Sequence, residues 1–128
     1  MRKLILIILA MLTLTACGQG KENPQEAKYM NITAAEAKEI MDSQEGYVIL
    51  DTRTREEYDE SHIPGAILIS HDEVLEKAEG ILTDKTQLIL VYCRSGRRSK
   101  LAAEDLVKLG YTNIKEFGGI IDWPYEVE

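Results

Sequence analysis

The sequence predicts a single α/β domain: a mostly parallel, five-stranded sheet with helices on both faces. Short apolar, β-rich runs recur at 29–32, 47–50, 66–69, 88–92 and 111–117, and each ends in a polar turn. Stretches with helical spacing separate these runs, and two of them open on a capping-box pattern. Strands that alternate with helices pair in parallel, and the helices then cover both faces of the sheet. No internal repeat appears, and the low-complexity character is confined to one polar linker near the start.

Arg2-Lys3 followed by the apolar run Leu4 to Leu14 has the charged and hydrophobic regions of a secretory signal. Eleven apolar-dominated residues are too few to cross a bilayer as a helix. The run ends in Leu14-Thr15-Ala16-Cys17, which resembles the lipobox of bacterial lipoproteins. That resemblance implies a signal peptide over 1–16, acylation of Cys17, and an extracytoplasmic protein lipid-anchored to the cell membrane. More than one acyl chain makes such a tether stable. Residues 17–28 then form a lipidated N-terminus and flexible linker, rich in Gly, Gln, Lys and Glu, ahead of a folded domain over 29–128.

About one hundred residues is a common size for one domain with one core. The chain carries 15 basic and 22 acidic side chains; without Arg2 and Lys3, 13 face 22, a net charge of −9. So acidic a body argues against nucleic acid as a partner. There are two cysteines in all. With Cys17 acylated, Cys93 is the one thiol left, so a redox cycle needs an outside thiol.

Through the folded part, Tyr29-Met30-Asn31-Ile32 reads as a short first strand. Thr33-Ala34-Ala35-Glu36 opens a helix that places Ala37, Ile40 and Met41 on one face and ends by Gly46. Tyr47 to Leu50 reads as a buried strand that stops at Asp51-Thr52-Arg53, and Thr54-Arg55-Glu56-Glu57 opens a short helix. His62-Ile63-Pro64-Gly65 is a turn before the strand Ala66 to Ile69, and Asp72 to Ala78 reads as a surface helix with Val74, Leu75 and Ala78 at helical spacing. After the strand from Leu88 comes a helix from Ser99, with Gly110 beyond its end. A last strand to Phe117 turns at Gly118-Gly119 into a segment ending at Trp123-Pro124.

The stretch with chemistry in it is Cys93-Arg94-Ser95-Gly96-Arg97-Arg98-Ser99. A cysteine stands at the carboxyl end of a strand, where ligands bind in open α/β sheets. The loop runs straight into a helix N-terminus, whose free N–H groups and dipole favour an anion. Three arginines act in the same direction and help stabilise a thiolate. Read from the residues alone, Cys93 is a nucleophilic cysteine in an anion-binding loop. Asp51 and Arg53 are candidate supporting residues at a neighbouring strand end, as a loop acceptor or as a structural ion pair. His62 and His71 are too isolated to form a metal site. Trp123 reads as a core or C-terminal anchor, and Glu56, Glu57, Asp59 and Glu60 as a solvated helix face.

Several blocks together resemble the rhodanese-like family, in the family's order, from about Ile32 to Glu126. They are Asp51-Thr52-Arg53, Glu56-Glu57-Tyr58, His62-Ile63-Pro64-Gly65-Ala66, the Cys93–Arg98 loop and Gly118-Gly119-Ile120-Ile121-Asp122-Trp123. The resemblance implies a sulfurtransferase without cofactor or metal. Cys93 would take a sulfane sulfur from a small anionic donor such as thiosulfate or a persulfide, hold it as a persulfide, and pass it to a thiol or cyanide. It implies that backbone N–H groups from Arg94 through Ser95, Gly96, Arg97 and Arg98 to Ser99 ring the terminal sulfur. Arg94 and Arg97 would face the pocket mouth, and Arg98 would close the loop. Related phosphatases and arsenate reductases place five residues between cysteine and arginine; here four separate Cys93 from Arg98, a narrower cradle. A further alternative is a persulfide carrier or sensor serving a membrane partner.

Overall fold

The computed structural model describes residues 28–128. The leader, Cys17 and nearly all of the linker named above lie outside them. The central element is β4 (Ile89–Cys93), in which every residue is buried. Continuous apolar character is what a parallel strand covered on both faces requires. It lies between β2 (Val48–Asp51) and β5 (Ile114–Gly119), with β3 (Ile67–Leu68) and β1 (Met30–Asn31) at the edges, in the order β1-β5-β4-β2-β3. Every pairing is parallel, so the sheet is wholly rather than mostly parallel.

Alternation along β4 divides the core. Leu90 and Tyr92 point to the face covered by α1 (Ala34–Ser43), where they meet Ala37, Ile40, Ile49 and Phe117. Ile89 and Val91 point to the other face, against Val74 and Ala78 of α3 (Val74–Ile81) and Ala102, Ala103 and Leu106 of α4 (Arg97–Lys108). Trp123 packs with the first group, 5.5 Å from the Phe117 ring, and anchors the C-terminal segment. Helix α2 (Arg55–Glu60) is the short helix after β2, and 3-10 turns cover His71–Glu73 and Ile120–Asp122.

Local sequence explains the helix starts. At α2 the capping box is complete: the Thr54 side chain accepts the Glu57 N–H while Glu57 reaches back to the Thr54 N–H. At α1 only half of it forms, because Glu36 takes the Thr33 hydroxyl instead of its backbone N–H. Helix α4 starts two residues before Ser99, on Gly96 at φ 107°, a conformation in which glycine has no steric cost. Its buried stripe is Ser99, Ala102, Ala103 and Leu106, whereas Leu101 is exposed.

The pairing of β4 with β5 slips by one residue: Val91 faces Glu116 but Cys93 faces Gly119. The extra residue is a β-bulge, a common device beside active sites. It carries Gly119 directly under the loop after β4. A Cβ at Gly119 would lie 1.8 Å from the Arg94 carbonyl oxygen, so no other residue fits without moving backbone.

Candidate active site

The carboxyl ends of β2, β3 and β4 are tied together by the Asp51-Thr52-Arg53 segment. Thr52 donates both its backbone N–H and its hydroxyl to the Tyr92 carbonyl, at 3.0 and 2.8 Å, and Ile69 N–H donates to the Asp51 carbonyl. Asp51 is fully buried and is neutralised by Arg53, whose Nη2 lies 2.7 Å from Oδ2. The same Nη2 reaches the Ser61 carbonyl, and Ser70 Oγ donates to the Arg53 carbonyl. Tyr92 donates its hydroxyl to Asp51 Oδ2 at 2.6 Å; burial, with that carboxylate, raises its titration above the ordinary tyrosine range. Asp51 and Arg53 are therefore a structural ion pair that joins three loops, the second of the two roles open from sequence. The Asp51 carboxylate accepts only one backbone N–H, that of Arg53.

Cys93 ends β4 on the α4 side and is 1 % exposed. Its Sγ accepts the Gly96 N–H at 2.9 Å and lies 3.3 Å from Ser99 Oγ. Gly96 and Ser99 are buried, whereas Arg94, Ser95 and Arg97 are exposed. In this resting geometry one N–H, not a full ring from 94 to 99, contacts the cysteine sulfur itself. The Arg94 carbonyl points away from the sulfur and accepts the Ile121 N–H.

A cavity of about 440 Å³ opens beside the loop, lined by Arg53, Arg94, Glu57, Glu60, Ile120 and Ile121 among others. Arg94 lines this cavity. Arg97 does not line it; the side chain is exposed on the first turn of α4. Among the described residues no carboxylate pairs with Arg94, while Arg53 is committed to Asp51.

Glu57 overturns its reading as part of a solvated helix face. Both its oxygens receive the Arg98 guanidinium, at 2.7 and 2.9 Å, in a bidentate pair across 41 residues of chain. Arg98 holds the Glu57 carboxyl down at about 2, and Glu57 in turn raises Arg98. The pair clamps α2 to the start of α4. Glu116 was not anticipated at all. It is 2 % exposed on β5 and accepts both the Ser99 hydroxyl and the Gly118 N–H. The one available signal was a charged residue on the inward side of an apolar strand, between Ile114 and Phe117.

Comparison with known proteins identifies the family. The chain matches the family model described as the Rhodanese-like domain over residues 33–124. It belongs to that family. It is 40 % identical to the thiosulfate sulfurtransferase PspE of Escherichia coli over 73 residues, covering 57 % of this chain and 70 % of that protein. It is 31 % identical to the adenylyltransferase and sulfurtransferase UBA4 of Candida albicans, covering 89 % of this chain but only 27 % of that much longer protein. A solved structure titled "rhodanese with anions from E. coli" superposes with a TM-score of 0.60 at 35 % identity, covering 64 % of this chain and 96 % of that one. The rhodanese-like fold is thereby shown, and the two relatives just described are named as sulfurtransferases.

Within this rhodanese-like domain, the Glu57–Arg98 clamp has a definite pH signature. Folding lowers Glu57 from 4.5 to about 2, so its stabilisation is complete above pH 4.5 and disappears as pH falls through about 2. Glu57→Gln should therefore unfold at lower denaturant than the unsubstituted protein at pH 7, with the gap closing between those two values. Urea midpoints measured across pH 2–7 check this, and a gap independent of pH would contradict the clamp.

Proposed function

We propose that this protein is a rhodanese-type sulfurtransferase that carries a sulfane sulfur as a persulfide on Cys93. The observation that carries the reading is Sγ at the end of the central strand, in contact with the Gly96 N–H beneath the N-terminus of α4. The Cys93 thiolate attacks the outer sulfur of thiosulfate, the S–S bond breaks, and sulfite leaves with the bonding pair. Cys93 then holds Sγ–S⁻, whose charge the loop N–H groups and the helix dipole stabilise. An acceptor thiolate, or cyanide, attacks that terminal sulfur and Cys93 departs as thiolate. Arg94 attracts both anions to the mouth.

The placement of Arg98 favours sulfur over phosphate chemistry. A phosphatase loop aims its arginine at the bound oxyanion, for which a bidentate fork is well suited. Here that fork is spent on Glu57.

The cellular setting belongs to the same proposal and rests on the sequence from Arg2 to Cys17. Acylation of Cys17 tethers the domain to the outer side of the cell membrane, and the linker lets it reach small donors and thiol acceptors there. Sulfur delivery to, or persulfide sensing for, a membrane partner uses the same cysteine.

Intact-mass analysis of residues 20–128 after incubation with thiosulfate tests the chemistry. A gain of one sulfur, removed by cyanide or excess thiol and absent in Cys93→Ser, is expected; no gain from thiosulfate or polysulfide would overturn the reading. Arg94→Ala should raise KM for thiosulfate about fivefold with little change in kcat, since one surface charge contact is worth roughly 1 kcal/mol. An unmoved KM would remove Arg94 from donor capture. In cells fed a labelled fatty acid, the full chain should take up label and Cys17→Ser should not; an unlabelled full chain would refute the anchor.

A further inference from the structure

Glu116 is a buried carboxylate for which the persulfide chemistry above has no use. It is 2 % exposed, and among the described residues no cation pairs with it. A buried anion without a counter-charge is costly unless hydrogen-bond donors hold it. Its Oε1 takes the Gly118 N–H at 2.8 Å and the Ser99 hydroxyl at 2.7 Å. Ser99, itself fully buried, has three other neighbours: Cys93 Sγ at 3.3 Å, the Gly96 carbonyl at 3.0 Å and the Gly118 carbonyl at 3.4 Å. A hydroxyl has one proton to give. The carboxylate is both the strongest acceptor and the nearest. Ser99 therefore donates to Glu116 and turns a lone pair toward Cys93, whose S–H becomes the donor across the 3.3 Å contact.

We propose that Glu116 is a positioning residue for Cys93 and that the two share one proton through the Ser99 hydroxyl. The step is balanced. The thiol proton passes to Ser99 Oγ as the Ser99 proton passes to Glu116 Oε1, which leaves thiolate, hydroxyl and carboxylic acid with the total charge still −1. The proton is thus stored beside the sulfur, and while it stays the carboxylate and the thiolate are not charged together. When sulfur transfer frees the thiolate again, the proton returns by the same route.

Other charges around the two ends are accounted for. On the sulfur side stand Arg98, paired with Glu57, and Arg53, paired with Asp51, while Arg94 and Arg97 lie on the exposed loop. On the carboxylate side stand Tyr29, whose titration is raised by burial and then by Glu104 and Glu116, and Glu104 of α4. None of them supplies Glu116 with a positive partner.

A merely structural Glu116, holding the bulge through Gly118, would be replaced by glutamine with little effect on the thiol. The test is the rate of alkylation of Cys93 by iodoacetamide between pH 4 and 10, in the unsubstituted protein and in Glu116→Gln. Two groups competing for one proton titrate in two steps. The unsubstituted profile should rise in two steps, and that of E116Q in one, with E116Q about tenfold faster at pH 7. Superimposable profiles would overturn the proposal. If E116Q does not fold, carboxyl carbon NMR of the unsubstituted, glutamate-labelled protein serves instead. Blocking Cys93 as its neutral methyl disulfide should collapse the Glu116 titration from two steps to one, and an unchanged titration would overturn the shared proton. The inference rests on Cys93 being the working thiol, but alkylation needs no sulfur donor. A two-step profile in a protein that gains no sulfur therefore supports the shared proton and overturns only the sulfurtransferase reading.

Discussion

A sulfur atom that is to bear negative charge at 1 % exposure has to be solvated by the protein rather than by water. Backbone N–H groups can do this, provided the chain curls so that they point inward and its carbonyls find partners elsewhere. Much of the architecture around Cys93 follows from that constraint. Gly96 supplies the curl at φ 107° and aims its own N–H at Sγ. The Arg94 carbonyl, turned outward, is satisfied by the Ile121 N–H. That bond brings β5 so close that only the missing side chain of Gly119 leaves room. The bulge in β5 and the 3-10 turn after it are thus consequences of the loop, not ornaments on the sheet.

The positive charge near the sulfur is mostly held in place by ion pairs. The Arg53 side chain is 5 % exposed and its partner Asp51 fully buried, Arg98 and Glu57 are 21 % and 26 % exposed, and each pair helps to bridge loops from different strands. A bidentate guanidinium fixes orientation as well as charge. Their contribution is to keep the ends of β2, β4 and α2 in register, while among the described residues Arg94 has no carboxylate partner.

Local features were readable from the sequence because their causes lie within a few residues. The Thr54 box, the glycine after α4, and the strand–cysteine–glycine–helix order around Cys93 each depend on neighbours in the chain, and each stands where its residues imply. Glu57 and Glu116 were not readable for the opposite reason. Glu57 sits in an acidic run on a short helix, the pattern of a solvated face, and only the approach of Arg98 from 41 residues away changes its role. Glu116 follows Lys115 in a strand that looks half-exposed. The one-residue slip beside Cys93, which no local pattern announces, accompanies its inward turn toward Ser99. Arg97 shows the same limit in reverse: adjacent to Arg98 in sequence, it is carried to the exposed side of α4 by the helical turn.

Cys93 is the free cysteine of the described residues, and among them no second thiol stands beside it to resolve a persulfide. On the proposed chemistry, sulfur leaves only when an outside nucleophile reaches it, and the donor must already have departed. One buried sulfur beside one mouth makes the two half-reactions sequential, with donor and acceptor using the same opening in turn. Such a site has to hold its thiol quietly between visits, outside the reach of any internal partner. A proton lodged between Cys93 and Glu116, handed over through Ser99 without passing into solvent, meets that need with groups the fold has already buried.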